Sequence, residues 1–426
     1  MKHYKLAVEF YKRKGPRHDK SLWAIRQKRD NAIKELKEWE ELRKKASNIK
    51  NEVIDNLPYL IELFTKNAKA LGIEVVYAKN AQIHNKIILD YLKEINAKKV
   101  VKSKSMLTEE CGLNEYLQNH GIEVIDTDLG ERIVQLRGEK PSHIVLPAIH
   151  TTKEEVAEIL HEKNTDPTYL TRKMRAMLRE EFLSANAGLS GANFLIADKG
   201  FAVVCTNEGN ADLGALLPPL HIISVGVEKL LPDMKSLGIF LRMLARNATG
   251  QKITSYTSIF GKKQNGKRVI VLVDNGRLDK IKTEFKETLK CIRCSACLTT
   301  CPVFRRSGGH SYRYVIPGPI GALLGPLTDK EEYSDLPFAC TLCGSCEAVC
   351  PVKIPFSKLL VAMRRHVTTQ NLLIDTAQKA MHSPEAFKLF STILRLTPKT
   401  LLNKVLKEWS TYKTLPEIPK NRFIKV

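Results

Sequence analysis

A chain of 426 residues with 43% hydrophobic and 27% charged side chains has the composition of a soluble globular protein and length for two to three domains, which argues against a fibrous or disordered chain. No apolar run reaches the roughly 18 residues of a membrane span; the longest, 216–227, is broken by Pro218, Pro219 and His221. The net charge of +22 sits at the ends, since residues 1–50 hold 16 basic and 7 acidic side chains (+9) and residues 351–426 hold 14 and 4 (+10).

The short apolar start is interrupted at Glu9 and runs into Lys12-Arg13-Lys14, unlike a signal peptide, so the chain reads as cytoplasmic. Residues 22–64 read as helix, because Leu22, Ile25, Ala32, Ile33, Leu36, Trp39, Ala46, Ile49 and Val53 recur mostly at three- and four-residue steps. Pro58 permits a restart and Gly72 a C-cap. Short β-branched runs then appear at Ile73–Tyr77, Lys99–Val101, Ile122–Ile125, His143–Leu146, Ala192–Ile196, Phe201–Cys205, His221–Val225 and Val269–Val273. Helical stretches at 81–96, 152–163, 168–186 and 277–289 separate many of them. Such alternation predicts an α/β domain with a largely parallel sheet. Ala197-Asp198-Lys199-Gly200 suggests a hairpin between two of the strands. After Cys291 the chain becomes rich in cysteine, proline and glycine, and after Pro355 it turns helical and basic. The expected domains are a helical arm (1–70), the α/β domain (71–290), an α-helical two-cluster ferredoxin domain (291–355) and a basic helical region (356–426).

The cysteines carry the chemistry. A cytoplasmic chain keeps its thiols reduced, so the ten cysteines do not read as a disulfide framework. Cys291-x2-Cys294-x2-Cys297-x3-Cys301-Pro302 and Cys340-x2-Cys343-x2-Cys346-x3-Cys350-Pro351 repeat the bacterial ferredoxin spacing. Two-residue gaps let one loop place three thiolates on three corners of a four-iron cubane. The fourth thiolate lies beyond the loop and reaches the neighbouring cubane, and proline turns the chain away. Cluster 1 is therefore expected on Cys291, Cys294, Cys297 and Cys350, and cluster 2 on Cys340, Cys343, Cys346 and Cys301. Zinc is the weaker reading, since four cysteines within eleven residues crowd one tetrahedral ion. Cys205, ending a strand, and Cys111, opening a helix, read as ordinary buried small residues.

Other patterns point to chemistry less directly. Gly261-Lys262-Lys263-Gln264-Asn265-Gly266-Lys267-Arg268 approximates a phosphate-binding loop, but Arg268 replaces the Ser/Thr and a strand follows where a helix is needed, so a hairpin turn is expected. No G-x-G-x-x-G dinucleotide fingerprint occurs. The Asn247-Ala248-Thr249 sequon reads as a chance match in a cytoplasmic protein. Ligands of open α/β sheets bind beyond the carboxyl ends of the strands. Polar clusters at such ends nominate Lys102, Lys104, Thr206, Glu208, Asn210 and Asp274 as substrate-binding residues; no catalytic residue is nominated.

Further blocks lie outside the cysteine runs: Lys102-Ser103-Lys104-Ser105-Met106, Thr127-Asp128-Leu129-Gly130-Glu131, Pro141-Ser142-His143-Ile144-Val145, Ser190-Gly191-Ala192-Asn193, Thr206-Asn207-Glu208-Gly209-Asn210, Arg246-Asn247-Ala248-Thr249-Gly250, Asp274-Asn275-Gly276-Arg277 and Gly308-Gly309-His310. With them the chain resembles the lactate-utilisation protein B family, the iron–sulfur component of a bacterial L-lactate oxidation system. Cys111 and the tail after Trp409 depart from the family pattern. The resemblance implies an α/β domain like that of the sugar-isomerase and CoA-transferase superfamily. It also implies two companions: a cysteine-rich subunit like those of heterodisulfide reductases, and a smaller protein sharing the α/β domain.

The expected function is electron transfer through two [4Fe-4S] clusters in a complex oxidising L-lactate to pyruvate. The protein would be an oxidoreductase subunit acting as carrier, cytoplasmic or peripheral to the membrane through its complex. Because each cluster passes one electron while the oxidation releases two, a two-electron centre must lie on a partner or in the α/β pocket. Alternatives are an independent transferase or ligand-binding α/β domain, and service to another 2-hydroxy-acid oxidoreductase. Nucleic acid is disfavoured, since the basic excess is terminal; an acidic electron acceptor or companion suits the basic ends better.

Overall fold

A computed structural model describes residues 2–368, 379 and 381–405. The chain divides into Met1–Val367 and Thr368–Val426. In the second unit, helices Pro384–Leu396 and Lys399–Val405 are described; the rest of the expected basic C-terminal region, 369–378, 380 and 406–426, lies outside the described residues. No helix among the described residues is long and apolar enough to cross a membrane.

The first unit is built on ten strands: β1 (Glu74–Ala78), β2 (Lys99–Lys102), β3 (Glu123–Asp126), β4 (Ala187–Gly191), β5 (Phe194–Ile196), β6 (Phe201–Thr206), β7 (Leu220–Gly226), β8 (Leu230–Leu231), β9 (Tyr256–Phe260) and β10 (Lys267–Val273). Six form one sheet in the order β1-β10-β7-β4-β2-β3, with every pair parallel. Its central strands carry nearly continuous apolar sequence, as in Val269–Val273, because helices cover both faces. A second sheet, β8-β5-β6-β9, stands beside it. The expected hairpin is present there, with Phe194 opposite Val203.

Several local expectations are corrected. His143–Leu146 is not a strand: Nδ1 of His143 accepts the backbone N–H groups of Val145 (3.1 Å) and Leu146 (3.0 Å), which a ladder would need. Gly261–Arg268 is not a hairpin turn, since β9 and β10 belong to different sheets and the segment crosses between them. Ala187–Gly191, Tyr256–Phe260 and Leu230–Leu231 are strands that periodicity did not mark; β4 is mostly small residues and β8 has only two. Cys111 follows the short helix Met106–Glu110 and does not open one. Residues 277–289 divide into a helix, Arg277–Ile281, and a 3-10 turn, Lys286–Lys290.

The expected helix over 22–64 is three: α1 (Lys2–Lys34), α2 (Trp39–Asp55) and α3 (Leu57–Ala70). They do not stand off as an arm. Leu22, Leu36, Trp39, Leu42 and Ala46 join one buried core with Leu298, Phe304, Ile320, Val349 and Phe356 of the cysteine-rich region. Two of their arginines are used inward. Arg29 donates to Asn247 Oδ1 (2.9 Å) and the Val349 carbonyl (3.2 Å), and Arg43 to the Cys350 carbonyl (2.9 Å). The segment between the cysteine runs is equally integrated: a Cβ on Gly309 would collide with the Ser142 carbonyl, and His310 Nε2 lies 2.7 Å from the Lys140 carbonyl.

Candidate iron–sulfur and ligand site

Each cysteine run forms a loop, a one-turn helix and a proline exit. The helices are Ala296–Thr300 and Ser345–Val349. Matched positions take left-handed backbone: Arg293 (φ 59°) and Leu342 (φ 56°) two residues after the first cysteine, Ser295 (φ 61°) and Gly344 (φ 74°) one after the second. Three of these four are not glycine, so the strain is held by the surrounding fold. It turns backbone amides onto sulfur: Arg293 N lies 3.4 Å from Cys291 Sγ and Leu342 N 3.3 Å from Cys340 Sγ.

The eight cysteines separate into two groups. One small cavity is walled by Cys291, Cys294, Cys297 and Cys350, with Ile144, Ile320 and Phe356. The other is walled by Cys301, Cys340, Cys343 and Cys346, with Pro319 and Leu360. All ten cysteines are free thiols. Burial, and then the neighbouring cysteine charges, push Cys297 well above its ordinary range; burial likewise lifts Cys350 to about 12 and Cys301 to about 11. Four thiolates side by side, with most of the eight buried, repel one another unless a cationic core compensates them. This donor set fits a four-iron cluster in each cavity.

A larger cavity of about 560 Å³ lies beyond the carboxyl ends of the strands. Ser103–Leu107 after β2, Asp128–Gly130 after β3, Ala192 and Asn193 after β4, Asn207 and Glu208 after β6, and Glu228 and Lys229 after β7 line it, facing Ala248 of helix Met234–Thr249. Ile144, Ile292, Arg293 and Cys294 line both this cavity and the first cysteine cavity. Arg277, buried at its floor, donates to Glu228 (2.6 Å) and to both oxygens of Glu110 (2.9 and 3.0 Å). Burial opposes ionisation of Glu228, but Arg277 and then Lys229 hold it down at about 2. A Cβ on Gly226 would collide with this ion pair, so glycine is what lets β7 end against it.

Two family models match the chain: a LUD domain over residues 61–279 and a 4Fe-4S dicluster domain over residues 287–354. Lactate utilization protein B of Bacillus velezensis is 39% identical, across 94% of this chain and 90% of that one. The Bacillus subtilis protein of that name is 38% identical, with the same coverage. A protein of Escherichia coli K12 named uncharacterized electron transport protein YkgF is 40% identical over 83% of this chain and 77% of its own length.

The chain belongs to the lactate utilization protein B family.

Within this member of the family the six nominated pocket residues separate. Lys104, Thr206, Glu208 and Asn210 line the large cavity. Lys104 is held by Asp128 (3.0 Å) and the Val145 carbonyl (3.0 Å). Glu208 stands at the rim, raised above its usual value by lost solvent and by the Asp128 carboxylate. Lys102 is not a lining residue. It is fully buried beneath the sheet edge among Glu109 (2.8 Å), Asp126 (2.8 Å) and Glu131 (3.9 Å). Burial alone would lower it, but these carboxylates keep it well above its ordinary value. Asp274 does not line the cavity either; its Oδ1 accepts the Leu278 N–H (2.7 Å), anchoring the helix that carries Arg277. Sequence reasoning did not nominate Glu228, Lys229 or Arg293, and it held Arg277 only within the strand-end block Asp274-Asn275-Gly276-Arg277. Arg277 and Arg293 were visible only as the neighbours of a strand end and of a cysteine.

Proposed function

We propose that this chain is the iron–sulfur electron-transfer subunit of a complex that oxidises L-lactate to pyruvate. The observation that carries the reading is the division of eight cysteines into two walls, each combining three from one run with the last of the other. Cys291, Cys294, Cys297 and Cys350 hold cluster 1, and Cys340, Cys343, Cys346 and Cys301 hold cluster 2. Each [4Fe-4S] cluster supplies a one-electron store. The chain's own residues position the two stores: Thr300 Oγ1 and Ser345 Oγ meet at 2.5 Å where the two short helices pack, and Arg43 grips the Cys350 carbonyl.

Lactate enters this reading through the relatives' name, and electron transport through that of the Escherichia coli relative. The companions are a heterodisulfide-reductase-like subunit and a smaller protein with the same α/β domain. The exposed Lys12 and Arg13 offer a positive surface to an acidic companion, whereas Lys14 is bound to Glu155 (2.8 Å). The complex is cytoplasmic. A second role, ligand binding by the α/β domain, is favoured by the large cavity.

The test is anaerobic purification with both companions. About eight irons and eight acid-labile sulfides per chain are expected for two cubanes, and L-lactate should bleach the cluster absorption. About four irons, bound zinc, or clusters that dithionite reduces but lactate does not would refute the corresponding part.

A further inference from the structure

We propose that the large cavity of the α/β domain is the binding site of a planar two-electron organic carrier of the flavin or quinone kind, placed to discharge into cluster 1. The inference rests on the electron-transfer reading and deepens it.

Three observations carry it. The first is size and lining. A volume of about 560 Å³ falls within the roughly 300–1,000 Å³ of sites for drug-sized ligands and far exceeds what a three-carbon acid fills. Leu107, Ile133, Val145, Val225 and Leu244 give apolar walls suited to a ring system. Asn193 in the wall and Gln251 at the rim line the cavity with side-chain NH2 groups that can donate to ring nitrogens or carbonyls, their oxygens being taken by the Cys205 N–H and by Asn207 and Thr249.

The second is charge. Arg277 is matched by Glu110 and Glu228, and Lys104 by Asp128. Arg293 has no such partner within ion-pair distance among the described residues, and its buried Nη1 lacks a hydrogen-bond partner. This cation faces the cavity from the cluster side. It suits a carrier that becomes anionic on reduction or bears an acidic oxygen.

The third is the wall itself. Ile292, Arg293 and Cys294 separate the cavity from the first cysteine site and line both, so a carrier in the cavity is one residue from a thiolate ligand. The reduced carrier loses two electrons and two protons. A [4Fe-4S] group held by Cys291, Cys294, Cys297 and Cys350 would take these electrons one at a time across this wall, and a second held by Cys340, Cys343, Cys346 and Cys301 would supply the other one-electron acceptor. The protons go to the Glu208 carboxylate and to water at the rim beside Asn207 and Gln251. A two-electron donor and two one-electron acceptors thereby balance within one chain.

The test uses the full-length, iron-loaded protein under anaerobic conditions, titrated separately with FMN and with menadione to distinguish the flavin from the quinone source. At least one should bind with about one site per chain. Ala248→Trp, which fills the cavity, and Gln251→Trp, at its exposed rim, should each weaken that binding tenfold or more without changing iron content. Gln251 is the safer substitution for folding, so the pair remains informative if Ala248→Trp is unstable. With the bound carrier reduced by one electron, its radical EPR signal should relax faster when cluster 1 is reduced than when it is oxidised. Absence of binding by both probes, binding unaffected in a folded variant, or a radical indifferent to the state of cluster 1 would overturn the proposal. Iron content and reduction by dithionite are read on the same samples, so failure here is distinguishable from failure of the electron-transfer reading.

Discussion

The side-chain amide of Asn247 donates to Cys294 Sγ at 3.3 Å. Asn247 belongs to the helix Met234–Thr249 of the α/β domain and Cys294 to the first cysteine run, so this contact couples the α/β domain to the candidate cluster site. Arg29 of α1 holds the same Asn247 through Oδ1 at 2.9 Å, which fixes the amide orientation. Asn247 is fully buried, and the sequon it begins is thereby closed to glycosylation.

A hydrogen bond to sulfur favours the more negative, reduced cluster. Asn247→Ala should therefore lower one midpoint potential. Taking roughly 1 kcal/mol for the lost bond and about 59 mV per tenfold for one electron, the shift is about 40 mV. Redox titration followed by EPR measures it; unchanged potentials in both clusters would remove Asn247 from the tuning of the site.

Crossed ligation makes a directional prediction. Cys350→Ser should alter the spectrum of the cluster held by the first run, together with Cys294→Ser, although Cys350 follows the second. Cys343→Ser should alter the other. If Cys350→Ser reproduces the Cys343→Ser spectrum, the ligation is uncrossed.

Arg277→Met would leave the buried carboxylates of Glu110 and Glu228 facing each other without their cation. Breaking a buried pair in this way costs about 3–5 kcal/mol. Denaturant titration of parent and variant should show the loss, and a change below about 1 kcal/mol would mean that water or Lys229 takes over the charge.

Buried neutral histidines set an acid limit. Burial lowers His84 from 6.5 to about 4, and it acts likewise on His3 and His150, each to about 4, and on His143, to about 3. Below its ordinary value the unfolded chain takes up protons that the folded chain refuses. Their contribution is intact above pH 6.5 and is lost as the pH falls from 6.5 toward 4, at about 1.4 kcal/mol per pH unit for each histidine. His84→Gln should make the fall of Tm across that window shallower than in the parent. An equally steep fall would assign the acid sensitivity elsewhere.

Much of the architecture was legible because it is local. β-branched runs such as Val269–Val273 form parallel strands from their own burial, and the run Ala192–Cys205 made its hairpin from a four-residue turn. What failed was also local in appearance. His143–Leu146 has the composition of a strand, but a histidine ring captured its amides. Ala187–Gly191 lacks that composition and is nevertheless a strand, because its neighbours β2 and β7 supply the ladder.

By itself, the sequence determined the cysteine chemistry: spacing and proline are properties of consecutive residues, and thiolate loops need nothing distant to be recognised. Only the tertiary structure decided what stands around them. Lys102 and Lys104 are two residues apart, yet one is buried in an ion cluster and the other faces the cavity, because β2 ends at Lys102 and the loop after it carries Lys104 to different neighbours. Arg277, Glu228 and Glu110 became one group through the register of β7 and β10 and the turn after β2. The cavity came to share a wall with Cys294 through the packing of a helix whose sequence carries no sign of its partner. Such proximity is set by where the chain returns in space, and no periodicity along it records that.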